Sequence, residues 1–351
     1  MSLRGERDLP CAIQNVQWRL MRAAIPRLCT APMMDWSDRH CRYFFRQLSL
    51  HAPVYTEMIT TGALLQGDVA RHLRFHPAER PVALQLGGSE PLDLARCAAL
   101  ARQWGYDEVN LNCGCPSERV QRGAFGACLM AEPALVADCV KAMQDACGLP
   151  VTVKHRLGLD HLEEYDFVRR FVEVLAKSGC RTFIVHARNA VLKGLSPKDN
   201  RDVPRLRYNE VYRLKRDFPE LTIVINGGIH SWDEVDVHLR HVDGVMLGRA
   251  AYHDPYILAQ ADHRLFGAET SVLSRADVVK AMYAYARDEI SRGETLRAVA
   301  RHMLGLFHGQ PRARHWRAML SDATRLAAND PALLLQALEY VTSAASPAVA
   351  A

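Results

Sequence analysis

Paired cysteine spacings are missing from this 351-residue chain, whose ten cysteines form no C-x-x-C pair and no repeated framework. Disulfide-stapled chains are short and secreted, so free thiols in a reducing, cytoplasmic compartment are expected. H-E-x-x-H is missing as well, which removes the common zinc and metalloprotease spacings; no metal site is expected. No apolar run approaches the roughly 20 residues that cross a bilayer. The opening MSLRGERDLP mixes both charge signs before any hydrophobic run, unlike a signal peptide. Excess charge is also scarce. A net charge of +5 permits a polyanionic partner without requiring one, so where the basic residues lie matters more than their sum.

What the chain does have is alternation of short β-rich runs with longer helical patterns, the mark of parallel strands joined by crossover helices. Eight runs stand out: Arg27–Met33, Pro53–Ile59, Val82–Gly88, Asp107–Gly114, Val151–Arg156, Thr182–Arg188, Leu221–Gly227 and Asp243–Arg249. Helical patterns between them include Leu92–Trp104, Pro133–Cys147 and Tyr165–Ser178. No G-x-G-x-x-G follows the first run, so a (β/α)8 TIM barrel is expected in place of a dinucleotide-binding sheet.

After Pro255 the strands stop, and Arg275–Thr342 reads as helices broken at Gly293-Glu294, Gly309-Gln310-Pro311 and Asn329-Asp330-Pro331. The expected organisation is an N-terminal extension (1–26), a catalytic barrel (27–264), a smaller all-helical C-terminal domain (271–342) and a loose tail (343–351).

Every β-run ends in polar, proline or glycine residues, and active sites of such barrels sit at that rim. Asn226-Gly227-Gly228 and Gly248-Arg249 close the last two runs, where glycines let backbone N–H groups approach a phosphate and Arg249 could add a charge-assisted contact. Lys154 could face a ring system tethered by that phosphate, since a buried lysine is costly without an anion or electron-rich heteroatom. With Gln85 at the ring's edge, Pro32, Met33 and Met34 over one face, and His186, the set describes a pocket for FMN better than one for a sugar phosphate. In NLNCGCPSERVQRGAFGACLM (Asn110–Met130), a thiol beyond the fourth run could deliver a proton while the flavin delivers hydride. Strand alternation does not choose between Cys113 and Cys115, which are two residues apart. The Cys-Pro pair modestly favours Cys115.

These motifs together resemble the tRNA-dihydrouridine synthases, in which an N-x-G-C-P segment carries the catalytic cysteine. A-P-M-M-D-W (31–36), Y-T-E-M (55–58), Q-L-G-G, V-K-H-R, H-A-R, I-N-G-G-I and L-G-R-A follow in the family's order, across about Arg27 to Leu326. Gly194–Pro204 looks like the A subfamily, whose substrate is uridine at positions 20 and 20a of the tRNA D-loop. The resemblance implies that Cys115 protonates uracil C5, that N5 of reduced FMN supplies hydride to C6, and that NADPH recharges the flavin. It makes Asn112 a contact to the target nucleotide, Gln85, Lys154, His186, Asn226–Gly228 and Gly248-Arg249 FMN ligands, and Lys198, Arg201, Arg314 and Arg317 contacts to tRNA. Cys113 departs from the pattern, since relatives usually carry an apolar residue there. Between Arg292 and Arg325, seven arginines and three histidines face only Glu294 and Asp322, a basic surplus suited to a polyanion. Two other readings compete: a dihydroorotate dehydrogenase-like FMN enzyme acting on a free small molecule, and a tRNA-binding protein without chemistry. No stable protein partner is expected.

Overall fold

The strands form because their sequences alternate two kinds of apolar contact with a period of two. In the computed structural model, which describes residues 26–117, 120, 123–160, 162–269 and 272–343, they are β1 (Leu28–Thr30), β2 (Val54–Thr60), β3 (Val82–Gly87), β4 (Glu108–Cys113), β5 (Val151–His155), β6 (Thr182–His186), β7 (Thr222–Asn226) and β8 (Gly244–Leu247). Outward residues such as Val82, Leu84, Leu86, Val109 and Leu111 join the main core beneath the helices. Inward residues Cys29, Tyr55, Ala83, Ile184, Val224 and Met246 form a second, smaller cluster inside the sheet.

All eight strands run parallel in the order β1-β8-β7-β6-β5-β4-β3-β2. The backbone N–H of Thr30 donates to the carbonyl of Pro53 at 3.0 Å, just ahead of β2, so the two ends of the sheet meet and the expected barrel is nearly closed. Except for the expected extension's Pro26 and the expected tail's Ser343, those two segments lie outside the described residues.

Helices α1 (Arg39–Leu48), α2 (Pro91–Gln103), α3 (Pro133–Cys147), α4 (Tyr165–Lys177), α5 (Tyr208–Asp217), α6 (Trp232–His238) and α7 (Arg249–His253) follow β1, β3, β4, β5, β6, β7 and β8. Local chemistry sets their ends. Proline opens α3 and the left-handed Gly148 closes it, while Ser231 and Glu234 form a capping box on α6.

Beyond a short helix at Ala261–Leu265, the described residues continue as α8 (Arg275–Ser291), α9 (Leu296–Ala300), α10 (Ala313–Ser321), α11 (Ala323–Ala327) and α12 (Ala332–Thr342). The three anticipated breaks are present, but residues 301–312 form turns and Asp322 adds a break by capping α11 through Thr324 and Arg325 N–H. Among the described residues no helix is long and apolar enough to cross a membrane.

The C-terminal helices dock on α1. Tyr43 stacks on Tyr285 with centroids 3.8 Å apart, and His40 Nδ1 lies 2.8 Å from the Tyr285 hydroxyl. Arg39 pairs with Glu289 and, at 2.6 Å, with Glu294; Asp38 pairs with Arg301 at 2.6 Å and His302 at 3.0 Å. His40, Glu289 and Glu294 could converge on a cation, but Arg39, Arg74 and Arg292 already neutralise the two carboxylates.

Candidate active site

Gln85, Asn112, Lys154, His186, Asn226 and Gly248 each stand two residues beyond an interior position: Ala83, Asn110, Thr152, Ile184, Val224 or Met246. Strand alternation therefore aims all six into the barrel's C-terminal mouth. Register sets Asn112 beside Lys154 and His186 beside Asn226.

The turn after β4 is clamped to this layer. Asn112 Oδ1 accepts the backbone N–H groups of Gly114 at 3.1 Å and Cys115 at 3.0 Å. Asn112 Nδ2 donates to Gln85 Oε1 at 2.9 Å, and Gln85 Nε2 donates to Asn110 Oδ1 at 2.7 Å. From the side, Arg156 donates through Nε to the Gly114 carbonyl at 3.2 Å and through Nη1 to the carbonyls of Asn200 at 2.8 Å and Asn189 at 3.2 Å. Gly126 accounts for the glycine-rich second half of the motif. Its φ is 76°, and a Cβ there would lie 2.7 Å from the Cys115 carbonyl oxygen, so a side chain would force the two loops apart. The same carbonyl accepts Ala127 N–H at 2.9 Å.

The two cysteines separate cleanly. Cys113, the last residue of β4, turns outward and is fully buried in the main core; burial first, then Cys139 and Cys180 nearby, raise its pKa well above the ordinary thiol value. Cys115 lies past the strand at the rim, partly exposed, with Sγ 3.6 Å from Ser117 Oγ. Cys113 therefore does the work of the apolar residue expected at its position, and its sulfur has no exposed surface to oxidise.

Cations gather around this thiol. Burial first, then Arg156, pushes the Lys154 ammonium down to about 7, although it keeps some exposure at the mouth. Burial pushes the Arg156 guanidinium down to about 9, with Arg201 and Arg188 adding repulsion. His186 is held well below the usual imidazole value by burial and then by Arg156, Lys154, Arg188 and Arg201. Lys154, Arg156 and Arg201 all interact electrostatically with Cys115.

Other anticipated residues fall as follows. Met33 packs on the interior cluster and Pro32 is partly buried beside it, whereas Met34 is 57% exposed. Gly227 and Gly228 have φ of 112° and 68°, so turn geometry alone requires glycine there, and a Cβ on Gly227 would run into His186. Gly248 is different: its φ is −104°, and among the described residues a Cβ would meet only Ala31 Cβ at 3.7 Å. Arg249 has its guanidinium on Asp202, at 2.6 and 3.1 Å. Lys198 and Arg201 are exposed on a loop pinned by the buried Asn200, which accepts Val191 N–H at 2.7 Å. Arg314 and Arg317 are exposed one turn apart on α10, without side-chain partners among the described residues.

The basic surplus of the C-terminal helices is smaller than its sequence count. Arg292, Arg301 and Arg325 pair with Glu289, Asp38 and Asp322, and Arg312 donates to the Tyr340 carbonyl, which leaves Arg297, Arg314 and Arg317 exposed and uncommitted. Sequence reasoning left Arg156, Asn200 and Asp202 without roles, and it passed over the interior polar residues Glu108, Asn110 and Thr152. Their signal was present: Glu108, Asn110 and Asn112 alternate in β4, where a buried barrel strand would ordinarily carry apolar residues.

These residues fit a phosphate-tethered ring cofactor. Among the described residues no neighbour crowds the missing side chain at Gly248 and no carboxylate pairs with Lys154, while Gln85 and Asn112 each have one amide hydrogen not used in the bonds above.

Comparison with known proteins agrees with this geometry. The family described as dihydrouridine synthase (Dus) matches residues 29–345. The chain is 55% identical over 317 residues to the tRNA-dihydrouridine(20/20a) synthase of Synechocystis sp. (strain ATCC 27184 / PCC 6803 / Kazusa), covering 90% of this chain and 95% of that protein. It is 55% identical over 322 residues to the protein of the same name from Salmonella typhimurium (91% and 97% covered), and 55% identical over 315 residues to that from Pseudomonas putida (90% and 94%). A parallel barrel with the clamped N-C-G-C-P turn at its mouth, matched over nearly its whole length at this identity, is an enzyme that belongs to the dihydrouridine synthase family.

Proposed function

We propose that this protein reduces the C5=C6 bond of uridines 20 and 20a in the tRNA D-loop to dihydrouridine, using FMN and NADPH. The reading rests on the placement of Cys115, held at the mouth by Asn112 and surrounded by Lys154, Arg156 and Arg201. Bound FMN, recharged by NADPH, supplies the hydride that reaches uracil C6.

The chain's own residues do the rest. Cys115 donates the thiol proton to C5, and solvent returns a proton to the sulfur afterwards. Asn112 orients the Cys115 turn and offers its remaining amide hydrogen to the base. Lys154 and Gln85 bind the cofactor's ring edge, neutral His186 and Asn226 line the same wall, and the bare backbone at Gly227, Gly228 and Gly248 receives its phosphate. Arg249 acts through Asp202 by fixing the loop that carries Lys198 and Arg201. These two, with Arg314 and Arg317, contact tRNA phosphates, and the target uridine enters the mouth flipped out of its stack.

Purified protein incubated with FMN, NADPH and unmodified tRNA should form dihydrouridine at positions 20 and 20a, read by mass spectrometry of nuclease fragments. NADPH oxidation supported by orotate and not by tRNA would favour the small-molecule enzyme instead.

A further inference from the structure

A line of hydrogen bonds descends the barrel from Cys115 to its opposite end. Cys115 N–H donates to Asn112, Asn112 to Gln85 and Gln85 to Asn110, as above. Asn110 Nδ2 then donates to Thr152 Oγ1 at 2.7 Å, and the Thr152 hydroxyl donates to Glu108 Oε1 at 2.6 Å. The same oxygen accepts the Tyr55 hydroxyl at 2.7 Å.

Every bond points the same way, and chemistry leaves no alternative at the top. Backbone N–H groups can only donate, so Asn112 must present its oxygen to Gly114 and Cys115 and its nitrogen to Gln85. That choice propagates. Gln85 must turn its oxygen up and its nitrogen down, Asn110 likewise, and Thr152 must spend its proton on the residue beneath. The line therefore needs a terminal group that accepts two hydroxyl donors at one oxygen, and in a strand wall otherwise built for apolar packing, Glu108 supplies it. Such chains strengthen cooperatively, so one left without its terminal acceptor has an unsatisfied hydroxyl at its foot and weaker bonds along its length.

We propose that Glu108 is a positioning residue for Cys115: as the terminal acceptor of this one-way chain it fixes the Asn112 amide and hence the backbone of the Gly114–Cys115 turn. Its influence on catalysis rests on the proposed role of Cys115, whereas its influence on the turn does not. What matters is an acceptor oxygen, so Glu108→Gln, which retains one, should be tolerated and Glu108→Ala should not.

Hydrogen–deuterium exchange on the full chain tests this. In Glu108→Ala, and in Thr152→Val, which cuts the next link, the Gly114 and Cys115 amides should exchange at least tenfold faster, with β3 and β5 backbone amides unchanged. In Glu108→Gln, exchange should stay within twofold of the parent. A second readout is dihydrouridine formation in a single turnover from pre-reduced enzyme, which should fall at least tenfold in Glu108→Ala while flavin reduction by NADPH is unaltered. Unchanged exchange in Thr152→Val, equal losses in the Gln and Ala variants, or faster exchange spread across β3 to β5 would each overturn the proposal. Should Glu108→Ala fail to fold, Thr152→Val decides alone. If Cys115→Ala retained activity, the functional reading would fall while the exchange result still judged the chain.

Discussion

Cys113 and Cys115, one glycine apart, have different surroundings: the first packs outward against the core near Cys139 and Cys180, the second stands past the strand at the rim, its backbone tied to Asn112. The strand ends between them, so the period-two rule stops applying. Cys113→Ala should therefore cost only about 1 kcal/mol, the loss of one buried methyl-sized group, and leave dihydrouridine formation unchanged. A thiol reagent applied to the native protein should modify Cys115 and spare Cys113, checked by peptide mass mapping.

Lys154 couples stability to function. Its folded pKa is lowered from 10.5 to about 7, so burying the charged form penalises the fold fully below pH 7, partly between 7 and 10.5, and not above. Lys154→Met should raise the melting temperature of the cofactor-free protein, by more at pH 6 than at pH 9. It should also weaken FMN binding at least tenfold, measured by flavin fluorescence titration.

Glu108 carries the opposite sign. Burial raises its folded pKa from 4.5 to about 7, so the ionised carboxyl destabilises the fold increasingly as pH rises through that window. Glu108→Gln should melt higher than the parent at pH 8, and the gain should vanish near pH 4.5.

At the junction with the C-terminal helices, burial alone would raise the Asp38 pKa, but hydrogen bonds from His302, Cys41 N–H and Arg301 hold it well below the ordinary carboxylate value of 3.8. Its stabilisation is present above pH 3.8 and is lost as acid protonates it. Asp38→Asn should cost about 1–3 kcal/mol at pH 7 in denaturant titration, and the difference should shrink below pH 3.8.

Arg314 and Arg317 should act only on RNA. Replacing both with alanine should weaken tRNA binding and make its salt dependence shallower by about 1.5 to 2 in log–log slope, with flavin reduction by NADPH unchanged. An unaltered slope would remove them from the interface.

The barrel was readable because its strands repeat one pattern eight times and because cap residues mark helix ends: α3 runs from Pro133 to Cys147 as anticipated, bounded by Pro133 and Gly148. The inward residues at strand ends were readable for the same reason, since chemistry concentrates there. What could not be read was pairing across the fold. Arg249 could be read only as a phosphate ligand, because its ion pair with Asp202, forty-seven positions away, is invisible along the chain. Two arginines of the basic surplus likewise find partners that only folding brings near, Asp38 for Arg301 and the Tyr340 carbonyl for Arg312. Alternating Glu108, Asn110 and Asn112 were visible in one strand, but Thr152 and Gln85, which join them into a line, come from two others.

The most direct measurement is dihydrouridine formation by Cys115→Ala from pre-reduced FMN and saturating tRNA in a single turnover. The account predicts a variant that binds FMN and tRNA like its parent, accepts hydride from NADPH at the parental rate, and forms product at least a hundredfold more slowly. Product formation at the parental rate would contradict it.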